Sequence, residues 1–200
     1  MKSISQELIS RVIKKRKSAT HKGTYGRLLL IGGSKKYGGA LIMAAEGALN
    51  SGAGLVTVAT DQVNIAALHT RDPEIMALNW DESIELKNLI KSSDVVVCGM
   101  GLGLDDKAQQ ILRLLRDNIT LKQTLILDAS ALDLIGQRND LLPLNSKILI
   151  FTPHQMEWER LSGIKISDQS DELNQVALDK LVKNKNAILV LKSNHTKVYN

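Results

Sequence analysis

The sequence predicts a single α/β domain, residues 1–200, in which helices cover both faces of a mostly parallel sheet to give three layers. Apolar segments of strand length alternate with helical segments along the chain, which is the pattern of a doubly wound fold. The strands within DVVVCG, TLILDA and ILIFTP are continuously apolar, as in a parallel sheet buried on both faces. With 44% hydrophobic and 24% charged residues, the 200 residues suffice for one buried core.

The individual elements follow from the local pattern. Ser3 and Gln6 resemble a capping box, and the apolar residues that follow share one helical face, so we expect a first helix that ends before Gly23. Apolar runs predict strands at residues 27–31, 55–59, 75–78, 94–99, 124–128, 147–152 and 187–192. Helices are predicted between them, at residues 40–51, 82–91, 105–117, 154–162 and 168–183.

A glycine-rich turn, residues 32–39, joins the first strand to an alanine-rich helix. Glycines let backbone N–H groups approach a phosphate closely, and the N-terminus of the helix adds partial positive charge. The alternative is a tight turn whose glycines only accommodate positive φ. The spacing from Gly33 to Gly38 begins like a P-loop, but Gly39 and Ala40 stand where that motif needs Lys and Ser or Thr. Because G-x-G-x-x-G is also absent from the sequence, hydride transfer is disfavoured.

Polar or glycine-rich clusters follow five of the predicted strands. Ligands of doubly wound folds bind at the carboxyl ends of the strands, so the clusters should converge on one edge of the sheet. They comprise residues 32–40, 99–103, 128–130, 152–157 and 192–196. Their convergence is stronger evidence for a binding site than any one cluster.

Composition excludes several classes of protein. The net charge of +5 includes a basic run on the first helix, but the chain has only six aromatic residues and no nucleic-acid recognition motif, so a solvated helix face is favoured over nucleic-acid binding. The longest apolar runs are far too short for a membrane span. The single cysteine, Cys98, ends an apolar strand and is expected to be a buried, inert thiol. We expect a cytoplasmic protein.

Six sequence blocks together resemble the ADP- or ATP-dependent NAD(P)H-hydrate dehydratases, which are nucleotide-repair lyases of the ribokinase-like fold. They occur in the family's order over nearly the whole chain: HKGTYGRLLLIGGS, YGGALIMAAEGALNSGAGLVTVAT, CGMGLG, LILDASAL, FTPHQMEWERL and LVLKSNHTKVY. The resemblance implies hydrated NADH or NADPH as substrate, ADP or ATP as co-substrate, Mg²⁺, and a homo-oligomer. It also implies that His21, Lys22 and Tyr25 have a lid or subunit-contact role.

The resemblance assigns site residues by their match to the family blocks. The dinucleotide is expected at Ala40, Gly101, Gly103 and His154. A side chain on Gly101 or Gly103 would fill the space that the dinucleotide is expected to occupy. The adenine nucleotide is expected at Lys192, Ser193, Asn194, His195 and Thr196, and Glu157 is expected to hold water around Mg²⁺. The chain departs from the family pattern at Ser130, Gln155, Met156 and Ser193.

Each polar motif also has a structural alternative. Asp128 either takes part in a metal or water network or caps the next helix. His154 and Glu157 either face ligands or cap the helix that they begin. Lys192 either binds phosphate or is a surface lysine whose stem covers apolar residues.

The family's G-x-G-D segment, whose Asp is the general base, does not occur in these 200 residues. The resemblance therefore places the general-base Asp beyond Asn200 and assigns no catalytic residue within the chain. It implies either a shortened form of a longer protein, which we favour, or a protein without the chemical step. A small-molecule kinase of the same fold and a non-catalytic nucleotide-binding module are the alternative functions.

We expect the 200-residue polypeptide alone not to dehydrate hydrated NADH. Loss of a positioned general base costs about 10²–10⁴ in rate, and loss of the N–H donors that stabilise developing charge costs about 10²–10³ more. The measurement is recovery of NADH absorbance with ADP and Mg²⁺, for this polypeptide and for one extended to the natural end of its gene. Comparable turnover would place the base within the 200 residues.

Overall fold

The computed structural model describes residues 5–13, 15–16, 18–143, 145–183 and 186–200. The strands are β1 (Arg27–Ile31), β2 (Leu55–Thr60), β3 (Met76–Asn79), β4 (Val95–Cys98), β5 (Thr124–Leu127), β6 (Ile148–Phe151), β7 (Ala187–Leu191) and β8 (Lys197–Tyr199). The helices are α1 (Gln6–Val12), α2 (Gly38–Asn50), α3 (Ile65–Arg71), α4 (Ser83–Ser92), α5 (Asp106–Asn118), α6 (Ser130–Gln137), α7 (Gln155–Ser162) and α8 (Asp171–Val182).

All eight strands form one sheet in the order β3-β2-β1-β4-β5-β6-β7-β8. Every pair is parallel except β7 with β8. The order reverses between β1 and β4, which makes the crevice above their carboxyl ends the expected ligand site of a doubly wound sheet.

Two hydrophobic clusters form on opposite faces of the sheet. The larger packs α4 to α8 against one face and includes the fully buried Phe151 and Trp158. The smaller packs α2 and α3 against β1 and β2 on the other face, around Leu41 and Leu68. These clusters confirm the predicted α/β class with helices on both faces.

The second face is only partly covered. Among the described residues, the smaller cluster includes no residue of β5, β6 or β7. Ile126, Ile150, Ile188 and Val190, which alternate with buried residues along these strands, are therefore only partly buried. Within the described residues, the predicted three layers are present over β1 to β3, and two layers are present over β5 to β7.

All seven predicted strands and five predicted interior helices are present, with ends shifted by at most three residues. The predicted cap at Ser3 lies outside the described residues, and α1 is instead capped by Ser5, whose Oγ accepts from the N–H of Leu8. The sequence interpretation missed α3, α6 and β8. They are short, at three to eight residues, which weakens any periodic signal. Within the described residues, no helix is long and apolar enough to cross a membrane.

A buried polar network joins α7, α8 and β8. The indole N–H of Trp158 donates to Asn174 Oδ1 (2.8 Å), and Asn174 Nδ2 donates to the Tyr199 hydroxyl (3.2 Å). That hydroxyl donates to Asp171 Oδ1 (2.8 Å), as does Lys197 Nζ (2.7 Å). Asn174 and Trp158 are almost fully buried, so their polar groups depend on each other.

We predict that Asn174→Ala destabilises the fold by about 1–3 kcal/mol, because it leaves a buried indole N–H without its acceptor. Urea unfolding measures the effect. Gln175→Ala on the same helix is the control, because it removes only an exposed hydrogen bond to Asp179. Equal midpoints for both variants would contradict a stabilising role for the network.

Candidate active site

The loops that follow β1 and β4 are hydrogen-bonded to each other. The N–H of Gly33 donates to the carbonyl of Met100 (2.9 Å), and the N–H of Ser34 donates to the carbonyl of Gly101 (2.6 Å). A Cβ on Gly32 would lie 2.2 Å from the Met100 oxygen, so this approach requires glycine. The two glycine-rich segments therefore form one surface at the point where the strand order reverses.

Gly101 is required by its own surroundings. Its φ is +63°, and an added Cβ would lie 2.2 Å from the carbonyl oxygen of Tyr37. A side chain here would therefore collide with the neighbouring loop. The expected place of Gly101 beside the dinucleotide stays a prediction. Gly103 differs: its φ is +91°, but the atoms nearest to an added Cβ belong to Ser34 at 3.7 Å.

Two buried polar residues hold the first loop in place. Thr60 Oγ1 donates to the carbonyl of Gly33 (2.8 Å), and Asn64 Nδ2 donates to the same oxygen (2.6 Å). Asn64 also packs against α2, since a Cβ on Gly38 would lie 2.0 Å from its Oδ1. Sequence reasoning missed both residues, and no motif marks them.

The first turn of α2 is open above this surface. Gly39 and Ala40 are exposed, and an added Cβ on Gly39 meets no atom within 4 Å. Tyr37, at the N-cap, gives the helix no side-chain cap. The first N–H groups of a 13-residue helix are thus available to an anion, with the helix dipole adding partial positive charge.

A second group of polar residues lies at the carboxyl ends of β5, β6 and β7. Lys192 Nζ donates to Asp128 Oδ1 (2.8 Å), and Thr152 Oγ1 donates to the same oxygen (2.9 Å). The N-cap position of α6 belongs to Ala129, so the alternative of Asp128 as a helix cap is wrong. Lys192 therefore forms an ion pair with Asp128, and its own side chain is about half-exposed.

The bend after Asp128 is strained. Ala129 has φ 47° and ψ −123°, a conformation that non-glycine residues rarely adopt. The bend packs against the β4 loop, because a Cβ on Gly99 would lie 1.7 Å from the carbonyl oxygen of Asp128. Asp128 is therefore positioned by the same loop that carries Gly101 and Gly103.

His154 lies beside Lys192 and begins α7. The N–H of Lys192 donates to the carbonyl of Pro153 (2.8 Å), which extends the β6 to β7 pairing to His154. His154 Nδ1 accepts from the N–H of Glu157 (3.1 Å), and Glu157 Oε2 accepts from the N–H of His154 (2.8 Å). Because Nδ1 accepts, the neutral ring carries its hydrogen on Nε2, which lies 3.4 Å from Glu157 Oε1. The His154 side chain as a whole is about half-exposed.

Glu157 is buried by this reciprocal cap, with 8% of its side chain exposed. The water-mediated role of Glu157 at Mg²⁺ stays a prediction. The carboxylate that would hold the water already accepts from the N–H of His154. In the described part of the chain, no three His, Cys, Asp or Glu side chains are grouped so as to hold a metal ion. Asp128, in contrast, is partly exposed, at 25% of its side chain.

The loop predicted to bind adenine nucleotide is exposed from Lys192 to Thr196. Ser193 Oγ accepts from the N–H of His195 (3.2 Å) and donates to its carbonyl (2.8 Å). Thr196 Oγ1 donates to the carbonyl of Ser193 (3.4 Å). Ser193, which departs from the family pattern, thus closes the turn through its hydroxyl.

The two groups of residues share one edge of the sheet. Four strand spacings separate β1 from β7, which corresponds to about 19 Å at ~4.8 Å per spacing. Cys98 lies beneath the edge, where burial raises the pKa of its thiol to about 12. The prediction of a buried thiol is confirmed, and this pKa makes the group inert at neutral pH.

The HKGTYG segment lies at the opposite edge. Its short 3-10 turn, Lys22–Tyr25, precedes the amino end of β1, and the N–H of Gly54 donates to the carbonyl of Tyr25 (3.1 Å). Within one protomer, this position does not fit the expected role as a lid over the carboxyl edge. The subunit-contact role stays a prediction.

A doubly wound sheet with glycine loops at its switch point and a lysine–aspartate pair at the same edge defines an α/β nucleotide-binding enzyme of the ribokinase-like class. The chain superposes on a ribokinase-like superfamily protein from Enterococcus faecalis with a TM-score of 0.89, at 41% identity over 98% of this chain and 68% of that one. It also resembles the ADP/ATP-dependent NAD(P)H-hydrate dehydratase from Bacillus subtilis co-crystallised with ATP and Mg²⁺. That comparison gives a TM-score of 0.77 at 26% identity, over 98% of this chain and 68% of that one.

Sequence comparison identifies the family. Residues 28–200 match the NAD(P)H-hydrate dehydratase family. The chain is 46% identical over 199 residues to the ADP-dependent (S)-NAD(P)H-hydrate dehydratase of Lactiplantibacillus plantarum, covering 100% of this chain and 69% of that protein. The chain belongs to the NAD(P)H-hydrate dehydratase family.

The general base is not assigned to any residue of this chain. Sequence analysis places it beyond Asn200, the exposed residue that directly follows β8. Asp128 is a partly exposed carboxylate at the carboxyl edge, but both Lys192 and Thr152 donate to its Oδ1. Its position at the end of β5 also differs from that of the expected Asp. The location of the base beyond Asn200 therefore stays a prediction.

We predict that Gly101→Ala destabilises the fold by at least about 1–3 kcal/mol, because a non-glycine residue is strained at this φ and its Cβ would collide with Tyr37. Gly39→Ala is the matched control: its Cβ has space, and helix propensity favours alanine by about 0.5–1 kcal/mol. Urea unfolding compares the two variants. A Gly101→Ala protein as stable as the parent would show that the Tyr37 loop can move aside.

Proposed function

We propose that this protein dehydrates hydrated NADH or NADPH to NADH or NADPH at the expense of ADP or ATP. Membership of the NAD(P)H-hydrate dehydratase family supports the reaction. The observation that carries the proposal is that the uncapped first turn of α2 and the exposed Lys192 lie apart on one edge of the sheet. Each is suited to an anion, and a reaction between two nucleotides requires two such places.

The dinucleotide is assigned to the surface at the switch point. The open turn of α2 at Ala40 supplies N–H groups for its phosphates, and Gly103 leaves space beside the β4 loop. The side chain of His154 is about half-exposed, and its Nε2–H, which lies 3.4 Å from Glu157 Oε1, is a donor for a hydroxyl or phosphate oxygen. Gly101 contributes indirectly, because it allows the two loops to interlock.

The adenine nucleotide is assigned to Lys192 and the turn from Ser193 to Thr196. The ammonium of Lys192 supplies a charge-assisted contact to phosphate, and its bond to Asp128 fixes where that charge lies. The exposed Asn194, His195 and Thr196 supply further polar groups.

Mg²⁺ fits this site as a companion of the nucleotide. The ion keeps several waters and is usually held by one or two carboxylates together with substrate phosphates. Asp128 is a partly exposed carboxylate beside Lys192 that could take this role, whereas Glu157 is engaged in the cap of α7. When bound, the ion would neutralise charge on the transferred phosphoryl group.

In the proposed reaction, the hydroxyl oxygen of the hydrated ring accepts the phosphoryl group, and phosphate then leaves as the ring double bond is restored. This chain's residues bind and orient the two nucleotides, which is the main catalytic contribution in phosphoryl transfer. We further propose a homo-oligomer that works in the cytoplasm.

The test of function is recovery of NADH absorbance from hydrated NADH, with ADP and Mg²⁺, by the protein at the full length that its gene encodes. The proposal predicts turnover that requires the adenine nucleotide. Phosphorylation of a small molecule without NADH recovery would favour a kinase. Binding of ADP with no reaction would favour a nucleotide-binding module.

We predict that Lys192→Ala weakens ADP binding more than it weakens binding of the dinucleotide. A lost charge-assisted bond of about 1.5–3 kcal/mol corresponds to about a ten- to hundredfold loss of affinity for ADP. Titration calorimetry on the 200-residue chain measures both ligands, and the exposed Lys122→Ala is the control for net charge. Unchanged ADP affinity would remove Lys192 from the site.

A further inference from the structure

The turn between β1 and α2 carries the most exposed aromatic ring of the chain. The sequence has six aromatic residues, and the side chain of Tyr37 is 59% exposed. The other five are buried or partly buried, namely Tyr25, Trp80, Phe151, Trp158 and Tyr199. The one well-exposed ring therefore lies at the carboxyl edge, beside the surface assigned to the dinucleotide.

The backbone that carries this ring is held on two sides. The N–H of Tyr37 donates to the carbonyl of Ser34 (2.9 Å), which closes a four-residue turn. The N–H of Ser34 donates to Gly101, and a Cβ on Gly101 would lie 2.2 Å from the carbonyl oxygen of Tyr37. Because the attachment point of the ring is fixed, a ligand that packs on it loses less entropy than it would on a mobile loop.

Two lysines occupy the central positions of the same turn. Lys35 and Lys36 are exposed, and within the part of the chain that the structure describes neither forms an ion pair. Adjacent cations without a partner attract an anionic ligand. An aromatic ring beside cations is the combination that binds nucleotides, because the base stacks on the ring while the phosphate meets the charge.

The separation of the two proposed sites decides which ring of the dinucleotide lies here. In the proposed reaction, the hydrated nicotinamide ring meets the phosphoryl group of ADP beside Lys192, at the end of β7. The turn follows β1, four strand spacings or about 19 Å away. The dinucleotide is assigned to His154, after β6, as well as to α2, so it extends from the turn toward ADP. Its reacting ring is then at the far end, and its adenine ring is left for the turn.

We propose that Tyr37 binds the dinucleotide by stacking on its adenine ring, and that Lys35 and Lys36 favour the form with a 2′-phosphate on the adjoining ribose. The inference rests on the proposed function and adds to it the residues that bind the adenosine half of the substrate. α2 begins directly after Tyr37, so its first N–H groups suit the phosphate that follows this ribose.

The stacking is tested in the full-length protein by calorimetry with NADPH, which shares its adenosine half with the hydrate, while ADP saturates the other site. Tyr37→Ala keeps the backbone contacts and should weaken NADPH binding about five- to 150-fold. Tyr37→Leu, which keeps apolar bulk without a ring, should also bind weakly, whereas Tyr37→Phe should bind like the parent. Leu121→Ala removes an exposed apolar side chain at the amino edge and should have no effect.

Fragments of the dinucleotide identify the ring. With ADP still at saturation, adenosine 2′,5′-bisphosphate represents the adenosine half and nicotinamide mononucleotide the other half. Tyr37→Ala should weaken binding of the first and leave binding of the second unchanged. Weaker binding of nicotinamide mononucleotide, or unchanged binding of NADPH, would overturn the proposal. A parent protein that binds no dinucleotide would instead contradict the proposed function itself.

Selectivity supplies an independent readout for the lysines. Replacing Lys35 and Lys36 together by alanine should lower the affinity for NADPH about three- to thirtyfold more than the affinity for NADH, because exposed ion pairs are individually weak. The same double replacement at Lys122 and Lys147, which are exposed at the amino edge, is the control for net charge. Equal losses for NADPH and NADH would overturn the assignment of the lysines to the 2′-phosphate.

Discussion

The whole site depends on the hydrogen bonds between the loops after β1 and β4. Gly33 and Ser34 donate to the carbonyls of Met100 and Gly101 at the one place where the strand order reverses. Glycines permit this approach, because an added Cβ at Gly32 or Gly101 would lie 2.2 Å from a carbonyl oxygen. These hydrogen bonds join two separate turns into one surface and leave the first turn of α2 open above it.

The contacts between these loops continue along the edge of the sheet. The β4 loop packs against the bend at Asp128 through Gly99, and Asp128 in turn holds Lys192 and Thr152. These contacts link the two proposed nucleotide sites along the edge. At the back of α7, Trp158 and Asn174 anchor the helix that begins at His154.

Much of this arrangement could be predicted from the sequence. Strands buried on both faces give continuous apolar runs, and polar residues immediately after those runs must lie at one edge of a parallel sheet. Pairing over long sequence distances could not be predicted. Asp128 and Lys192 are 64 residues apart, and nothing in either block specifies that they meet. Asn64 and Thr60 lie in no motif, and their role exists only because β2 brings them beside Gly33.

The physical reason for a particular glycine also could not be predicted from the sequence. A glycine that avoids a ligand and a glycine that avoids its own neighbouring loop look the same in sequence, as Gly101 shows. The partial burial of the face over β5 to β7 also could not be predicted from the sequence, because an apolar strand has the same composition whether one or two layers of helices cover it.

The central claim is that the dinucleotide and the adenine nucleotide occupy two different parts of one sheet edge. Amide hydrogen exchange with each ligand alone tests it directly. The account predicts that hydrated NADH slows exchange in residues 33–40 and 100–104, whereas ADP slows exchange in residues 192–197. Protection of the same residues by both ligands, or protection confined to the amino edge, would contradict it.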